Sequence, residues 1–176
     1  MADMAIFAAE LSAGSLVVDV GCGPGFDAAL LQQQYGLRVI GLDYNLTMMQ
    51  TGRHAYQIDM PFVQATMSQM PFPPNSLDGI WACASLLHLP RPDIPGVLAH
   101  FAHLLRKNGR FYLSVKQGDG DGYSPHAYGQ AAPRYFTYWQ PDGLDQLLDQ
   151  AGFVPLYQAT TPSPKGNWLV RVMQLC

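Results

Sequence analysis

The chain has 176 residues, the size of one domain, and its 48% apolar and 11% aromatic content excludes intrinsic disorder. Ten Lys plus Arg against 13 Asp plus Glu leave a formal charge of -3, and the bases form no run longer than Arg106-Lys107, which argues against nucleic acid or an anionic membrane as the main partner. Cys22, Cys83 and Cys176 show no C-x-x-C spacing, so neither a disulfide framework nor a metal site is readable, and a reducing compartment is expected.

The N-terminal stretch MADMAIFAAEL carries Asp3 and Glu10, lacks a basic leader, and its apolar part is too short for a signal peptide or a membrane span, so a cytoplasmic location is expected. Ser15 to Val20 is a β-branched run and predicts the first strand. Gly21-Cys22-Gly23-Pro24-Gly25 follows, then a helix over 27–35 with Ala28, Leu31 and Tyr35 on one face and Gly36 as its stop. A second strand over 37–42 ends at Asp43, Asn45 caps a helix to about Tyr56, and 62–65 is a short third strand. Residues 67–75 form a proline-rich loop.

The fourth strand spans 77–83 and leads into a short turn or helix over 84–89. Asp93 is placed to cap a helix whose Ile94, Val97, Leu98, Phe101 and Leu105 share one stripe, with Arg106-Lys107 suiting its C-terminal dipole and Asn108-Gly109 ending it. After a fifth strand over 110–116, the segment 117–134 is rich in Gly, Asp and Tyr without an apolar period and reads as a long loop, with 117–139 as a lid over substrate. Pro141 opens and Gly152 closes a last helix, and strands near 153–159 and 168–174 complete the chain. The alternation describes a single α/β domain with a doubly wound, mostly parallel sheet of about seven strands flanked by helices.

The glycine turn after strand one, with an acid at the end of strand two, is the geometry of an adenosine site at the carboxyl edge of such a sheet. Glycines let backbone approach a ligand closely, and Asp43 can accept from both ribose hydroxyls. Charge separates the candidate cofactors. A dinucleotide brings a pyrophosphate that wants free N–H donors and no nearby carboxylate, yet Asp19 and Asp27 flank the turn and Pro24 removes a donor. S-adenosyl-L-methionine carries an ammonium and a sulfonium, which carboxylates favour. Phe26 also stands where the dinucleotide pattern wants a small residue.

The stretches VVDVGCGPG, VIGLDYN, ATMSQMPFPPNSLDGIWACASLLHL, LRKNGRFYLSVKQG and LDQLLDQAGF occur in the order of the class I S-adenosylmethionine-dependent methyltransferases, and the chain resembles the small-molecule methyltransferase type 11 group related to quinone biosynthesis. The resemblance implies a Rossmann-like fold with an antiparallel last strand and methyl transfer to a small-molecule acceptor, leaving S-adenosyl-L-homocysteine. It implies that Asp19, Gly21, Cys22, Gly23 and Gly25 line the methionine end, that Asp43 holds the ribose, that Tyr44 and Met67 flank the adenine, and that Cys83 and Ala84 contact the methionine through backbone. Thr66 stands where the family often has an Asp that takes the adenine amino hydrogen. Relatives have a longer helical segment before the first strand, so the 117–139 segment or a second subunit is expected to close the pocket.

Plainer roles stand beside these. The glycines also suit a bare strand-to-helix turn, Asp43 a cap beside Asn45, and Asp19 a structural acid. His88 suits either a general base or a packing histidine. His100 and His103 are expected to face solvent, and His54 and His126 show no partner. The run 118–122 lacks the later ligands of a calcium loop. Tyr123, Tyr128, Tyr135, Phe136, Tyr138 and Trp139 suit a substrate wall or anchors for the loop. Two other functions stay open at this point: a non-catalytic cofactor-binding subunit and an NAD(P)-dependent oxidoreductase.

Overall fold

A computed structural model describes residues 2–124 and 133–176. Its main sheet runs β3(Phe62–Gln64), β2(Arg38–Asp43), β1(Leu16–Val20), β4(Leu77–Cys83), β5(Leu105–Lys116), β9(Trp168–Leu175) and β8(Phe153–Thr161) in spatial order. Strands β3 to β5 are parallel to one another, and β9 is antiparallel to both its neighbours, β5 and β8. This is the seven-stranded, Rossmann-like arrangement expected, with the last strand reversed.

The central strands carry apolar residues on both faces because helices cover both. Alternate residues then feed two cores. Val18, Ile80 and Phe111 meet α4(Ile94–Leu104) and α5(Pro141–Gln150) on one side, while Val17, Trp81 and Tyr112 meet α1(Ala2–Ala9) and α2(Phe26–Tyr35) on the other. Helix α1 is an addition to the expected elements. Its Met4, Phe7 and Ala8 are buried, and the Phe7 ring lies edge-on to Trp81 at 5.3 Å.

Several boundaries differ for local reasons. Asn45 does cap α3(Leu46–Ala55), accepting from the Met48 N–H at 3.3 Å. Asp93 does not cap α4: a 3₁₀ turn over Arg91–Asp93 runs straight into the helix, so Asp93 already has helical backbone (φ -84, ψ -23) and makes no side-chain cap bond. Helix α4 ends at Leu104, and Arg106 lies on β5, where it pairs with Asp78 rather than with the helix end. His100 faces inward enough for its Nε2 to accept from the Met70 N–H at 3.2 Å, contrary to the expected solvent position, whereas His103 is exposed.

The segment expected to be a long loop carries structure. β6(Asp121–Ser124) pairs antiparallel with β7(Arg134–Thr137), and Gly118 N–H donates to the Trp139 carbonyl at its base. Neither face of this ribbon is fully buried, which is why no apolar period announces it. Residues 125–132, including His126 and Tyr128, lie outside the described residues.

One contact seats the glycine turn on α3. A Cβ built on Gly52 would lie 1.9 Å from the Pro24 carbonyl oxygen, so only glycine lets the helix approach. Gly52→Ala is therefore expected to lower stability by about 1–3 kcal/mol, measured by urea denaturation, with an unchanged midpoint contradicting the contact.

Candidate functional site

The parallel strands end at one edge of the sheet, and β1 turns there through Gly21. This residue has φ +73, and a Cβ on it would meet the Ser85 Cβ at 2.5 Å, so both conformation and space demand glycine. The turn consumes its own donors. Gly21 and Cys22 N–H donate to the Leu42 carbonyl at 2.7 and 3.1 Å, and Gly25 N–H donates to the Cys22 carbonyl at 2.9 Å. Gly23 N–H donates to Asp43 Oδ2 at 2.8 Å, and Pro24 has no N–H. Every backbone donor over 21–25 is thus engaged within the protein.

Asp43 accepts a second bond from Asn45 N–H at 2.8 Å through Oδ1. It binds β2 to the turn and to the first residues of α3. Each oxygen keeps a lone pair, because an ionised carboxylate has about four acceptor positions. Asp19 lies deeper, 3% exposed, and its Oδ2 has no hydrogen-bond partner among the described residues. Burial, and next the neighbouring Asp27, push its carboxyl well above the ordinary range, with a donation from the Ala28 backbone opposing them. Burial is also the largest cause raising the Cys22 thiol, with Asp19 and Asp43 adding to it. The edge therefore gathers carboxyl groups and carbonyl acceptors without a free anion-binding donor in its glycine turn.

A cleft of about 610 Å³ opens over this edge, within the range of small-molecule and cofactor sites. Of the residues singled out in the sequence, Gly21, Gly23, Asp43, Tyr44, Thr66, Met67, Ala84 and His88 line it. Asp19, Cys22 and Gly25 do not: the first two are buried beneath the turn, and Gly25 lies against the Phe62 ring. Cys83 opens instead into a second cavity, and burial with Asp27 pushes its thiol up to about 12. Thr66 shares a hydrogen bond of 3.1 Å with Ser68, another lining residue.

The sequence reading missed Ser85 and Met48 as lining residues, whereas Tyr135, read there as a substrate wall or a loop anchor, lines the cleft together with Pro133 and Arg134 from the same 117–139 segment, brought over it by β7 and its approach. Ser85 is 5% exposed and its hydroxyl has no partner among the described residues. Its place directly after Cys83-Ala84, at the end of β4, was the available signal. His88 follows on a 3₁₀ turn, and its Nδ1–H donates to the Tyr135 carbonyl at 2.7 Å. A carbonyl can only accept, so Nδ1 carries the proton and Nε2 carries the lone pair. Burial holds the His88 imidazole below its ordinary value, the Tyr135 carbonyl opposes this, and Arg134 adds to the lowering.

No group of His, Cys, Asp and Glu among the described residues is arranged to hold a metal ion, and no helix among them is long and apolar enough to cross a membrane.

Comparison with known proteins places these features in context. A family model described as a methyltransferase domain matches residues 17–109, more than half of the chain. An O-methyltransferase (cnsE) of Penicillium expansum is 31% identical over 150 residues, covering 80% of this chain and 52% of that protein. The chain thus spans about half the length of this curated relative, and less of others it matches. The 1,6-didemethyltoxoflavin N1-methyltransferase of Burkholderia thailandensis, solved with its substrate and S-adenosylhomocysteine, superposes with a TM-score of 0.77 at 26% identity over 99% of this chain and 76% of that one. A Methanosarcina mazei protein shares the fold with a TM-score of 0.85 at 17% identity, covering 97% and 96% of the two chains.

The histidine geometry is checked by ¹⁵N NMR titration. At pH 7 the Nδ1–H tautomer of His88 is expected, with a midpoint below the model-peptide value of about 6.5, because burial favours the neutral ring. An Nε2–H tautomer, or a midpoint above that value, contradicts it.

Proposed function

The chain belongs to the methyltransferase-domain family, and on that premise we propose that it is an S-adenosyl-L-methionine-dependent methyltransferase acting on a small-molecule acceptor. The observation that carries the reading is the donor-exhausted glycine turn beside Asp19, Asp27 and Asp43. A pyrophosphate would find no free N–H over residues 21–25 and would meet the Asp43 carboxylate at the cleft wall, so a nicotinamide dinucleotide does not suit this edge. A cofactor bearing an ammonium and a sulfonium meets complementary charge.

The residues fit that cofactor part by part. Asp43 has acceptor capacity remaining for the two ribose hydroxyls. Tyr44, which is 73% exposed, and Met67 border the cleft where an adenine would lie, with Thr66 as its neutral polar neighbour. The unpartnered Ser85 hydroxyl and the Ala84 backbone border the methionine end, with Gly21 opposite. Asp19 lies beneath the turn and outside the cleft, where a bound cation nearby would favour its ionised form. When bound, the cofactor supplies a methyl carbon made electrophilic by positive sulfur.

The protein's part is then alignment, exclusion of water and disposal of a proton. Ala84 and Ser85 fix the wall along which the acceptor meets the donor. Tyr135, through its carbonyl, holds the His88 ring with Nε2 unprotonated across the neutral pH range. His88 Nε2 takes the proton that an acceptor hydroxyl or ring N–H must lose, and an acceptor that is already a free nucleophile needs no base. The identity of the Penicillium relative as an O-methyltransferase supports an acceptor of the first kind.

Isothermal calorimetry with S-adenosylhomocysteine tests the assignment. Asp43→Ala removes the ribose acceptor and leaves the Gly23 and Asn45 N–H groups unsatisfied, so affinity should fall by about tenfold or more in a variant that circular dichroism shows to be folded. Unchanged affinity in a folded variant refutes the site.

A further inference from the structure

A second cavity, of about 220 Å³, opens where β4 and β5 end and β9 begins beside α1, and Ala84 borders both it and the cofactor cleft. Ala84 has φ +52, a conformation uncommon for a residue with a Cβ. It is held there because its N–H is shared between the Ser114 hydroxyl at 3.0 Å and the Ser114 carbonyl at 3.2 Å. The partition between the two spaces is therefore anchored to β5.

The lining is aromatic. Trp81 and Tyr112 stack with centroids 3.6 Å apart and planes 11° from parallel, and Trp168 stands on the neighbouring strand. Two of the polar groups among the lining residues are engaged inside the protein: Trp81 Nε1–H donates to Asp27 Oδ2 at 2.9 Å, and the Ser114 hydroxyl donates to the Cys83 sulfur at 3.6 Å. A charged ligand would lose hydration here and recover few hydrogen bonds. Anions are further disfavoured by Asp3 and Asp27, which add to the upward push that burial gives the Tyr112 phenol. A ring offering its face or edge to three aromatic side chains loses nothing. An apolar void of roughly 150 Å³ holds benzene, so the volume of this cavity admits one ring or a fused pair.

We propose that this cavity receives the ring of the methyl acceptor, a neutral one- or two-ring aromatic, and presents it past Ala84 to the cofactor cleft. The inference rests on the methyl-transfer reading above. It gives the apolar chamber a role distinct from the polar, acid-edged cleft beside it, and it assigns Trp81, Tyr112 and Trp168 as determinants of acceptor shape.

Indole is the probe, observed by saturation-transfer and interligand Overhauser NMR on the full chain with and without S-adenosylhomocysteine. Indole is expected to bind with S-adenosylhomocysteine present and to show Overhauser contacts to it. Thr161→Trp, at the exposed end of β8 on the cavity rim, is expected to weaken indole by about tenfold and to change S-adenosylhomocysteine affinity by less than about twofold. Displacement of indole by S-adenosylhomocysteine, simultaneous binding without contacts, or undiminished indole binding in Thr161→Trp each overturns the proposal. Failure of S-adenosylhomocysteine to bind the unmodified chain overturns the cofactor reading instead, and the Thr161→Trp comparison still decides whether indole occupies this cavity.

Discussion

The site depends on a backbone that has no donors left to give. A strand-to-helix glycine turn is ordinarily a concave row of N–H groups suited to phosphate. Here the Leu42 carbonyl takes two of those groups, the Cys22 carbonyl takes one and the Asp43 carboxylate takes another, while Pro24 contributes none. The consequence is chemical as much as structural. The same bonds that fix the shape of the turn turn its polarity over, from an anion receptor to an edge bounded by acceptors.

Asp43 links the two tasks. By accepting from Gly23 and Asn45 it joins β2, the glycine turn and the start of α3, the helix whose Gly52 packs against Pro24. Removing its carboxylate would expose two N–H groups at a cost of about 1–3 kcal/mol each. Asp19 lies beneath with one oxygen unpartnered and its ionised form disfavoured by burial, a cost to the fold that a nearby positive ligand would offset. Buried acids of this kind are concentrated where a charge is to be met. Histidine is handled in the opposite sense, since burial and a backbone carbonyl keep His88 neutral and in one tautomer.

The parts of this arrangement written in contiguous sequence were legible beforehand. The apolar run of β1, the glycines, Asp43 at the next strand end and the Asn45 cap each announce themselves within a few residues, and all stand where the spacing puts them. Features that depend on pairing across the chain were not legible. The β6–β7 ribbon has no apolar period because β6 stays partly exposed along its length and only Phe136 and Thr137, at the end of β7, are buried, so 117–134 reads as loop. Asp93 has a capping residue's identity, but the preceding 3₁₀ turn removes the extended backbone that capping needs. The aromatic chamber brings α1, β4, β5 and β9 together, and no local pattern connects Trp81 with Trp168. Asp19, Cys22 and Gly25 belong to the strand end and turn by sequence yet lie outside the cleft, because the Asp19 and Cys22 side chains are buried beneath the turn and Gly25 packs against the Phe62 ring.

A glycine turn closed to phosphate, with an edge suited to a cationic adenosyl group, can be observed most directly through the backbone amides of Gly21, Cys22, Gly23 and Gly25 in ¹H–¹⁵N spectra during titration with S-adenosylmethionine and, separately, ADP-ribose. Saturable shifts at these amides with S-adenosylmethionine, and none with ADP-ribose, are expected. Saturable shifts with ADP-ribose, and none with S-adenosylmethionine, would contradict this reading of the turn.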